Sequence, residues 1–259
     1  MSRPAAYAVV PVPAFKDNYI WVLRDERHAA IVDPGDAQPV LEYLDRERLR
    51  LVAILATHHH ADHVGGIEEL LRRNAVPVHG PKGEPIEALT HKVGAGDRVE
   101  IAELSASFEV IDVPGHTRAH IAYYGANTLL CGDTLFACGC GRVFEGTPQQ
   151  LHASLAKLAA LPDETRVYCA HEYTLANIRF ARTVEPANEA LAERERSDAQ
   201  LRRQDTPTVP STIGREKATN PFLRCAEPAV IESASRYHGS PLADPVQVFT
   251  AIRKWKNEF

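Results

Sequence analysis

The segment Thr-His-His-His-Ala-Asp-His at residues 57–63 limits the possible folds of this chain more than any other feature. It follows the apolar run Leu-Val-Ala-Ile-Leu at residues 51–55, which is typical of a buried strand. Side chains alternate between the two faces of an extended segment, so His58 and His60 point the same way and His59 points away. The pattern therefore predicts that His58 and His60 chelate one metal ion at the end of a buried strand.

Asp62 and His63 stand where the chain leaves this strand and begins the helix that Ile67, Leu70 and Leu71 indicate. A turn at that point aims both side chains at a neighbouring position, which predicts a second ion. The alternative is a solvated polar turn that happens to be rich in histidine. Four potential ligands at this spacing are rare by chance, so the metal site is the stronger interpretation.

Three more potential ligands each follow an apolar strand: His116, Asp133 and His171. A single residue of this kind is more often a helix cap or a satisfied polar group. Together with the first motif they make five imidazoles and two carboxylates. Seven ligands are too many for one tetrahedral ion and suit two ions if one carboxylate bridges them, and we assign the bridge to Asp133.

Composition narrows the class of protein. The chain has 259 residues, of which 44% are hydrophobic, enough for one large domain or one domain with a small appendage. The formal net charge is -5 and the Lys and Arg residues are scattered, which argues against a nucleic-acid partner. Pro11 and Pro13 interrupt the N-terminal apolar stretch, so it resembles neither a secretory signal nor a membrane span.

The five cysteines are odd in number and show no framework spacing, which predicts reduced thiols and a cytoplasmic protein. Cys138 and Cys140 are alternative metal ligands, but two small thiols in a glycine-rich loop are the simpler interpretation.

The remaining patterns predict the order of the secondary structure. A strand hairpin at 19–23 and 29–32 leads into a helix at 39–48, then the strand at 51–55, a helix at 64–73 and a strand at 76–78. Later segments predict the following elements: strands at 98–104, 107–113, 120–124 and 128–131, a helix at 148–161 and a strand at 166–170. Two β-rich stretches, each followed by helices, predict an α/β fold with four αββα layers.

Strand patterns are absent after His171. Leu175, Ile178 and residues 188–203 predict helices, residues 206–221 a long loop, and residues 245–259 a closing helix. We therefore expect one domain at 1–171 and a second, helical domain at 172–259.

The motif at 57–63, with the later His116, Asp133 and His171, resembles the metallo-β-lactamase superfamily, and within it the glyoxalase II (hydroxyacylglutathione hydrolase) family. The family-like stretches run along essentially the whole chain: residues 13–19, 132–136, 139–142, 145–147 and 171–174.

The resemblance implies a dinuclear centre with the following ligands: His58, His60 and His116 for the first metal, Asp62, His63 and His171 for the second, and Asp133 as the bridge. It implies two divalent ions, with Zn²⁺ the first expectation and Fe or Mn²⁺ the alternatives. Asp62 and Asp133 would act in catalysis together with a hydroxide that bridges the metals.

The resemblance also implies hydrolysis of a glutathione thioester, typically S-D-lactoylglutathione, to glutathione and D-lactate, the second step of methylglyoxal detoxification. The positions that match the family's glutathione site are Arg142, Tyr173, Arg253 and Lys256. Phe144 stands where a tyrosine is expected and lacks the hydroxyl. Without the resemblance, the C-terminal cations would be interpreted as a solvated helix face.

Three rival functions stay open. They are a persulfide dioxygenase with one iron, a lactamase or lactone hydrolase with a similar dinuclear site, and a noncatalytic metal-binding module. The intact second ligand set and the helical extension favour the thioester hydrolase. We expect a small-molecule glutathione thioester as partner, no nucleic acid, no membrane and a monomer, although no pattern in the sequence determines the oligomeric state.

Overall fold

The computed structural model describes residues 7–259, which form two compact units. The first unit comprises residues 7–112 with 118–132, and the second comprises 113–117 with 133–259. The boundaries between these compact units do not fall at His171. The domain boundary that the sequence predicts at His171 stays a prediction.

The first unit contains a six-stranded sheet whose strands follow one another in chain order. The strands are β1 (Ala8–Ala14), β2 (Asn18–Arg24), β3 (His28–Val32), β4 (Arg50–Leu55), β5 (Val78–Pro81) and β6 (His91–Val93). Strands β1 to β3 are antiparallel, and β3 to β6 are parallel. The connecting helices are α1 (Ala37–Glu47), α2 (Ala61–Val64) and α3 (Ile67–Arg73).

The histidine motif begins two residues after the C-terminal end of strand β4. The strand residues from Leu51 to Leu55 are all at most 8% exposed. A parallel strand covered on both faces reads as a continuous apolar run, and this explains why the sequence shows no alternation here.

The same unit contains an antiparallel meander. Its strands are β7 (Arg98–Ile101), β8 (Ala106–Asp112), β9 (Ile121–Gly125) and β10 (Thr128–Gly132), with a short 3₁₀ helix at Ala102–Leu104. Ala126 and Asn127 both have positive φ, 47° and 58°, which is typical of a type I′ turn. The predicted turn between these strands is confirmed.

The helix predicted at 64–73 is wrong as a single element. The structure has two helices, α2 and α3, separated by Gly65 and Gly66. A Cβ on Gly66 would lie 2.5 Å from the amide nitrogen of Ala37, and one on Gly65 would lie 2.7 Å from the Ala61 carbonyl oxygen. The chain bends at this pair because only glycine allows such close backbone approach.

The second unit is mainly helical. Its strands are β11 (Leu135–Phe136), β12 (Gly139–Cys140), β13 (Arg166–Cys169) and β14 (Ser211–Thr212). Its helices are α4 (Pro148–Ala159), α5 (Thr174–Val184), α6 (Glu189–Arg203), α7 (Ile213–Thr219), α8 (Pro228–His238) and α9 (Pro245–Glu258), with a 3₁₀ helix at Pro221–Leu223. Strand β11 pairs with β12 as a short hairpin, and β13 pairs with β14.

The long loop predicted at 206–221 is wrong, because this segment contains β14 and α7. The Thr212 hydroxyl caps α7 by accepting a hydrogen bond from the Arg215 amide. Glu216 of α7 pairs with Arg194 of α6 in the interior. Because α7 is buried partly through this ion pair, its sequence lacks the apolar periodicity that predicts a helix.

Strand β1 and helix α8 were not predicted. Pro11 and Pro13 occupy β1, which is an edge strand, where a missing amide donor costs no ladder hydrogen bond. The predictions of α1, α4, α5, α6 and α9 and of most strands are confirmed within a few residues. Among residues 7–259, no helix combines the length and the apolar character needed to cross a bilayer.

Candidate metal centre

In the first unit, His58 and His60 present ring nitrogens to each other. The Nε2 atom of His58 lies 3.1 Å from Nδ1 of His60, and the His58 side chain is buried. Two imidazole nitrogens at this distance are compatible with one shared proton or with one cation accepted by both. The two residues that the sequence assigns to one ion therefore lie together.

The carboxylate of Asp33 orients two of the histidines. Its Oδ2 accepts from the Thr57 hydroxyl at 2.8 Å and lies 3.1 Å from Nδ1 of His63. The Thr57 oxygen in turn lies 3.1 Å from Nδ1 of His58. With Nδ1 of His58 and His63 directed at acceptors, each ring presents Nε2 as the potential metal ligand.

Asp33 itself is buried in an unusual conformation. Its φ is 52°, in the left-handed region that most residues avoid, and its Oδ1 accepts from the Thr57 amide at 2.7 Å. Such conformations persist where surrounding contacts impose them and are frequent at functional sites.

Asn18 contacts the Asp62 side chain, and Gly35 packs against the Asp62 main chain. Oδ2 of Asp62 accepts a hydrogen bond from Asn18 Nδ2 at 3.0 Å and lies 3.6 Å from Nε2 of His63. A Cβ added to Gly35 would lie 1.9 Å from the Asp62 carbonyl oxygen, so glycine is required there. Asp62 and His63 thus form a second pair of potential ligands beside His58 and His60.

His59 makes a different contact. Its Nδ1 contacts the carboxylate of Glu84, whose Oε1 accepts from the Ala119 amide at 3.0 Å. Glu84 is buried, with 7% of its surface exposed. His59 thus contacts Glu84, whereas His60 faces His58.

In the second unit, Asp133 lies between two histidines. Its Oδ2 is 3.4 Å from Nε2 of His116, and its Oδ1 is 3.3 Å from Nε2 of His171. All three side chains are at most 10% exposed. A carboxylate whose two oxygens face two different imidazoles has the arrangement that a bridging ligand needs.

Neighbouring main chain and rings orient these residues. Nδ1 of His116 lies 2.9 Å from the Arg142 carbonyl oxygen, to which it donates, so its Nε2 is directed at Asp133. The ring of His171 stacks on Tyr173, with 4.7 Å between centroids and 4° between planes. The donor set of imidazole nitrogens and carboxylate oxygens suits Zn²⁺, Fe and Mn²⁺.

The second unit contains a pocket of about 520 Å³, and His116 and Asp133 are among the residues that line it. Three cationic residues, Arg142, Arg253 and Lys256, contribute to its wall. The other lining residues include four aromatic residues: Phe136, Phe144, Tyr173 and Phe259. The four predicted substrate-binding residues therefore line one pocket with two predicted metal ligands.

The two cations of α9 that line this pocket differ in their surroundings. Arg253 is 6% exposed, and its Nη1 donates to the Cys140 carbonyl at 2.9 Å. It is therefore not part of a solvated helix face. Burial, followed by repulsion from Arg253, Arg179 and Arg142, lowers the pKa of the Lys256 amine to about 8.

The sequence matches two family models that together cover the chain from residue 15 onward. The metallo-beta-lactamase superfamily matches residues 15–171, and the hydroxyacylglutathione hydrolase C-terminus matches residues 172–259. A hydroxyacylglutathione hydrolase from Nitrosomonas eutropha is 58% identical over 251 residues, which cover 97% of this chain and 98% of that protein.

The chain belongs to the hydroxyacylglutathione hydrolase family of the metallo-β-lactamase superfamily. The resemblance inferred from the sequence is thereby confirmed, as is the α/β metallo-β-lactamase fold with a helical C-terminal region.

Solved structures of the superfamily are similar to this member of the family. The crystal structure of ETHE1 from Myxococcus xanthus has a TM-score of 0.65 and 25% identity, over 96% of this chain and 97% of that one. The crystal structure of TTHA1623 in a di-iron-bound form has a TM-score of 0.59 and 26% identity, over 83% of this chain and all of that one.

The structure adds residues to this family member's site that the sequence interpretation missed: Asn18, Asp33, Thr57, Glu84 and His120. The ring of His120 stacks on His58, with 4.5 Å between centroids and 19° between planes. Two patterns were available as signals. Asp33 begins the turn Asp-Pro-Gly-Asp after β3, and His120 lies four residues after His116.

Proposed function

We propose that this protein hydrolyses S-(2-hydroxyacyl)glutathione thioesters, typically S-D-lactoylglutathione, to glutathione and a 2-hydroxy acid such as D-lactate. This reaction is the second step of methylglyoxal detoxification. Support comes from relatives named hydroxyacylglutathione hydrolase, 58% identical in Nitrosomonas eutropha and 52% identical in Methylobacillus flagellatus, each over nearly the whole chain.

In the active form, His58, His60 and His116 would hold one divalent metal ion and Asp62, His63 and His171 a second, with Asp133 shared by both. Zn²⁺ is the metal expected first. The observation that carries this assignment is the division of the Asp133 oxygens between His116 and His171. The di-iron form of TTHA1623 is a precedent in a similar fold.

When bound, two such ions generate a nucleophile from water at neutral pH and stabilise the charge that develops on the thioester carbonyl oxygen. Asp62 and Asp133 would act in catalysis by holding the ions and the attacking water with their carboxylates. Cysteine is not the nucleophile, because all five thiols are buried and a thiol at neutral pH is a poor nucleophile. Burial raises the pKa of Cys140, which lines the pocket, and raises the pKa of Cys138 and Cys169 to about 12.

The glutathione portion binds in the pocket of the second unit. Its two carboxylates require cations, and Arg142 and Lys256 provide them, with Arg253 behind them and Tyr173 as a hydroxyl donor. Phe144 is 61% exposed and packs edge-on against His116, but it offers no hydroxyl. Glutathione is thus held mainly by charge.

The partner is a small molecule, and the protein acts as a cytoplasmic monomer. Five free cysteines, all buried, support a reducing compartment.

A thioester-cleavage assay on S-D-lactoylglutathione, with metal analysis of the same sample, tests this function. We expect turnover, about two metal ions per chain, loss of activity with a chelator and recovery with a divalent metal. Parallel assays with glutathione persulfide and with a β-lactam address the rival functions. Turnover of a rival substrate without thioester cleavage would refute the proposal, and full activity with one ion would refute the dinuclear centre.

A further inference from the structure

The main chain of the β11–β12 hairpin is held by side chains from the helices that follow it. Glu216 of α7 accepts a hydrogen bond from the Cys138 amide through Oε2 at 2.8 Å. Nδ2 of Asn220 donates to the carbonyls of Phe136 at 3.2 Å and Gly139 at 2.9 Å. Three peptide groups at the hairpin turn thus bind two residues that lie about eighty positions later in the chain.

Two other helices contribute in the same way. Nδ2 of Asn177 in α5 donates to the Ala137 carbonyl at 3.1 Å. Nη1 of Arg253 in α9 donates to the carbonyls of Cys140 at 2.9 Å and Gly141 at 3.4 Å. We call these four side chains the polar clamp: Asn177, Glu216, Asn220 and Arg253.

The polar clamp is anchored in the interior. Glu216 and Asn220 are fully buried, and Oε1 of Glu216 pairs with Nη1 of Arg194 at 2.7 Å. Arg194 is 2% exposed and pairs in turn with Asp198. Buried ion pairs seldom add net stability, because the desolvation of both charges offsets their attraction. Such a network is better explained by the geometry that it imposes than by the stability that it adds.

The hairpin imposes that geometry on two predicted metal ligands. A Cβ on Gly141 would lie 2.0 Å from the Asp133 carbonyl oxygen, so the strand after the turn packs directly against the main chain of Asp133. The Arg142 carbonyl, one residue later, accepts from Nδ1 of His116. A shift of residues 141 and 142 would therefore move Asp133 and rotate the His116 ring.

We propose that the polar clamp positions Asp133 and His116 for the reaction, so that Glu216 and Asn220 are positioning residues and the C-terminal helices organise the metal centre in addition to binding glutathione. This inference rests on the proposed function for its kinetic consequences. The positions of Asp133 and His116 are independent of that function, and metal spectroscopy alone reports on them.

The first test is Glu216→Gln, which keeps the size of the side chain but replaces one acceptor by a donor that faces other donors. We expect kcat to fall about tenfold to hundredfold, as is typical for outer partners of metal ligands, with KM for S-D-lactoylglutathione within about twofold of wild type. We also expect an altered visible absorption spectrum of the Co²⁺-substituted protein and faster loss of Co²⁺ to a competing chelator.

Glu185→Gln is the matched control. Glu185 is also a buried carboxylate in the helical region, with 4% of its surface exposed, and it accepts from Arg224 at 2.8 and 3.0 Å. It makes no hydrogen bond to the hairpin in the structure of residues 7–259. We expect a similar loss of melting temperature, with kcat and the Co²⁺ spectrum unchanged. Equal effects of the two variants on the spectrum would overturn the proposal.

Two further measurements do not depend on the folding of Glu216→Gln. Asn220→Ala should alter the Co²⁺ spectrum in the same direction. In the wild-type protein, the Cys138 amide should exchange with deuterium as slowly as the amides of α7, because its acceptor is buried. An unchanged spectrum in Asn220→Ala, or fast exchange at Cys138, would overturn the proposal.

The same experiments separate this inference from the proposed function. An altered Co²⁺ spectrum in Glu216→Gln, in a protein that does not cleave thioesters, would support the clamp and refute the function. Thioester cleavage with an unaltered spectrum and unaltered kcat in Glu216→Gln would support the function and refute the clamp.

Discussion

The loop at 57–63 and the loop at 133–142 hold their potential metal ligands by different means. The first carries four potential ligands within six residues, held by the Asp33 carboxylate and by close main-chain approach at Gly35. The second carries only Asp133, and its hairpin is held by side chains from four helical or loop positions far along the chain.

This difference explains why the sequence indicates the ligands of the first loop more strongly than it indicates Asp133. Ligands that are close in sequence form a recognisable motif, because local geometry brings them together. Asp133 has only a weak local signal, an acidic residue after an apolar strand, and its position depends on side chains up to 120 residues away.

The strongest test of the first loop is the pair His60→Ala and His59→Ala. His60→Ala should lose most metal and nearly all activity, because its Nδ1 lies beside Nε2 of His58. His59→Ala should keep most metal and lose activity at most about tenfold, because His59 contacts Glu84. Metal analysis and kcat measure both effects, and equal metal loss in the two variants would contradict the comparison.

Asp33→Asn tests whether one carboxylate anchors the first loop. The side chain keeps its size, and asparagine tolerates the positive φ, so the backbone is not strained further. The amide cannot accept from both Thr57 and His63 as the carboxylate does, and we expect a loss of about tenfold to hundredfold in metal affinity or kcat.

Asp36→Ala is the control for this variant. Asp36 caps α1 by accepting from the Gln38 amide at 3.0 Å. Its loss should cost about 1 kcal/mol of folding stability without changing kcat. If Asp33→Asn behaved like Asp36→Ala, Asp33 would be a structural residue only.

In the second unit, Lys256→Met should separate binding from chemistry. A charged hydrogen bond contributes about 1.5 to 3 kcal/mol, so KM for S-D-lactoylglutathione should rise about tenfold or more while kcat changes little. Arg253→Met should lower kcat as well, because Arg253 also belongs to the polar clamp.

Steady-state kinetics of both variants measures these changes in KM and kcat. A thioester that lacks the tripeptide serves as the control substrate for Lys256→Met. An unchanged KM in Lys256→Met would remove that residue from the glutathione site.

The smallest effect concerns pH. The pKa of Lys256 is lowered to about 8, first by burial and then by the cations around it. The amine is charged below this pKa and neutral above it, so KM for the glutathione thioester should rise by a few-fold as pH increases from 7 to 9. Lys256→Met should lack this rise, and an identical pH profile in both proteins would assign it to another group.

Much of the fold was predictable because apolar periodicity reports burial directly. The hairpin of β2 and β3, the buried β4 and the closing helix α9 all follow such patterns. The break at Gly65, the helix α7 and the edge strand β1 were not predictable in this way. Each depends on a contact with a distant segment or on the position of a strand at the edge of its sheet.

The amino-acid sequence was sufficient to identify the seven potential ligands and the family, and therefore the expected reaction. Ligand identity is a property of side chains, and the spacing of the first motif is short enough for local geometry to define it. Tertiary structure alone decided that Asp33 orients His63, that Asn18 holds Asp62, and that Arg253 binds hairpin carbonyls in the interior. These contacts join residues between 30 and 113 positions apart, and only the packing of the folded chain brings them together.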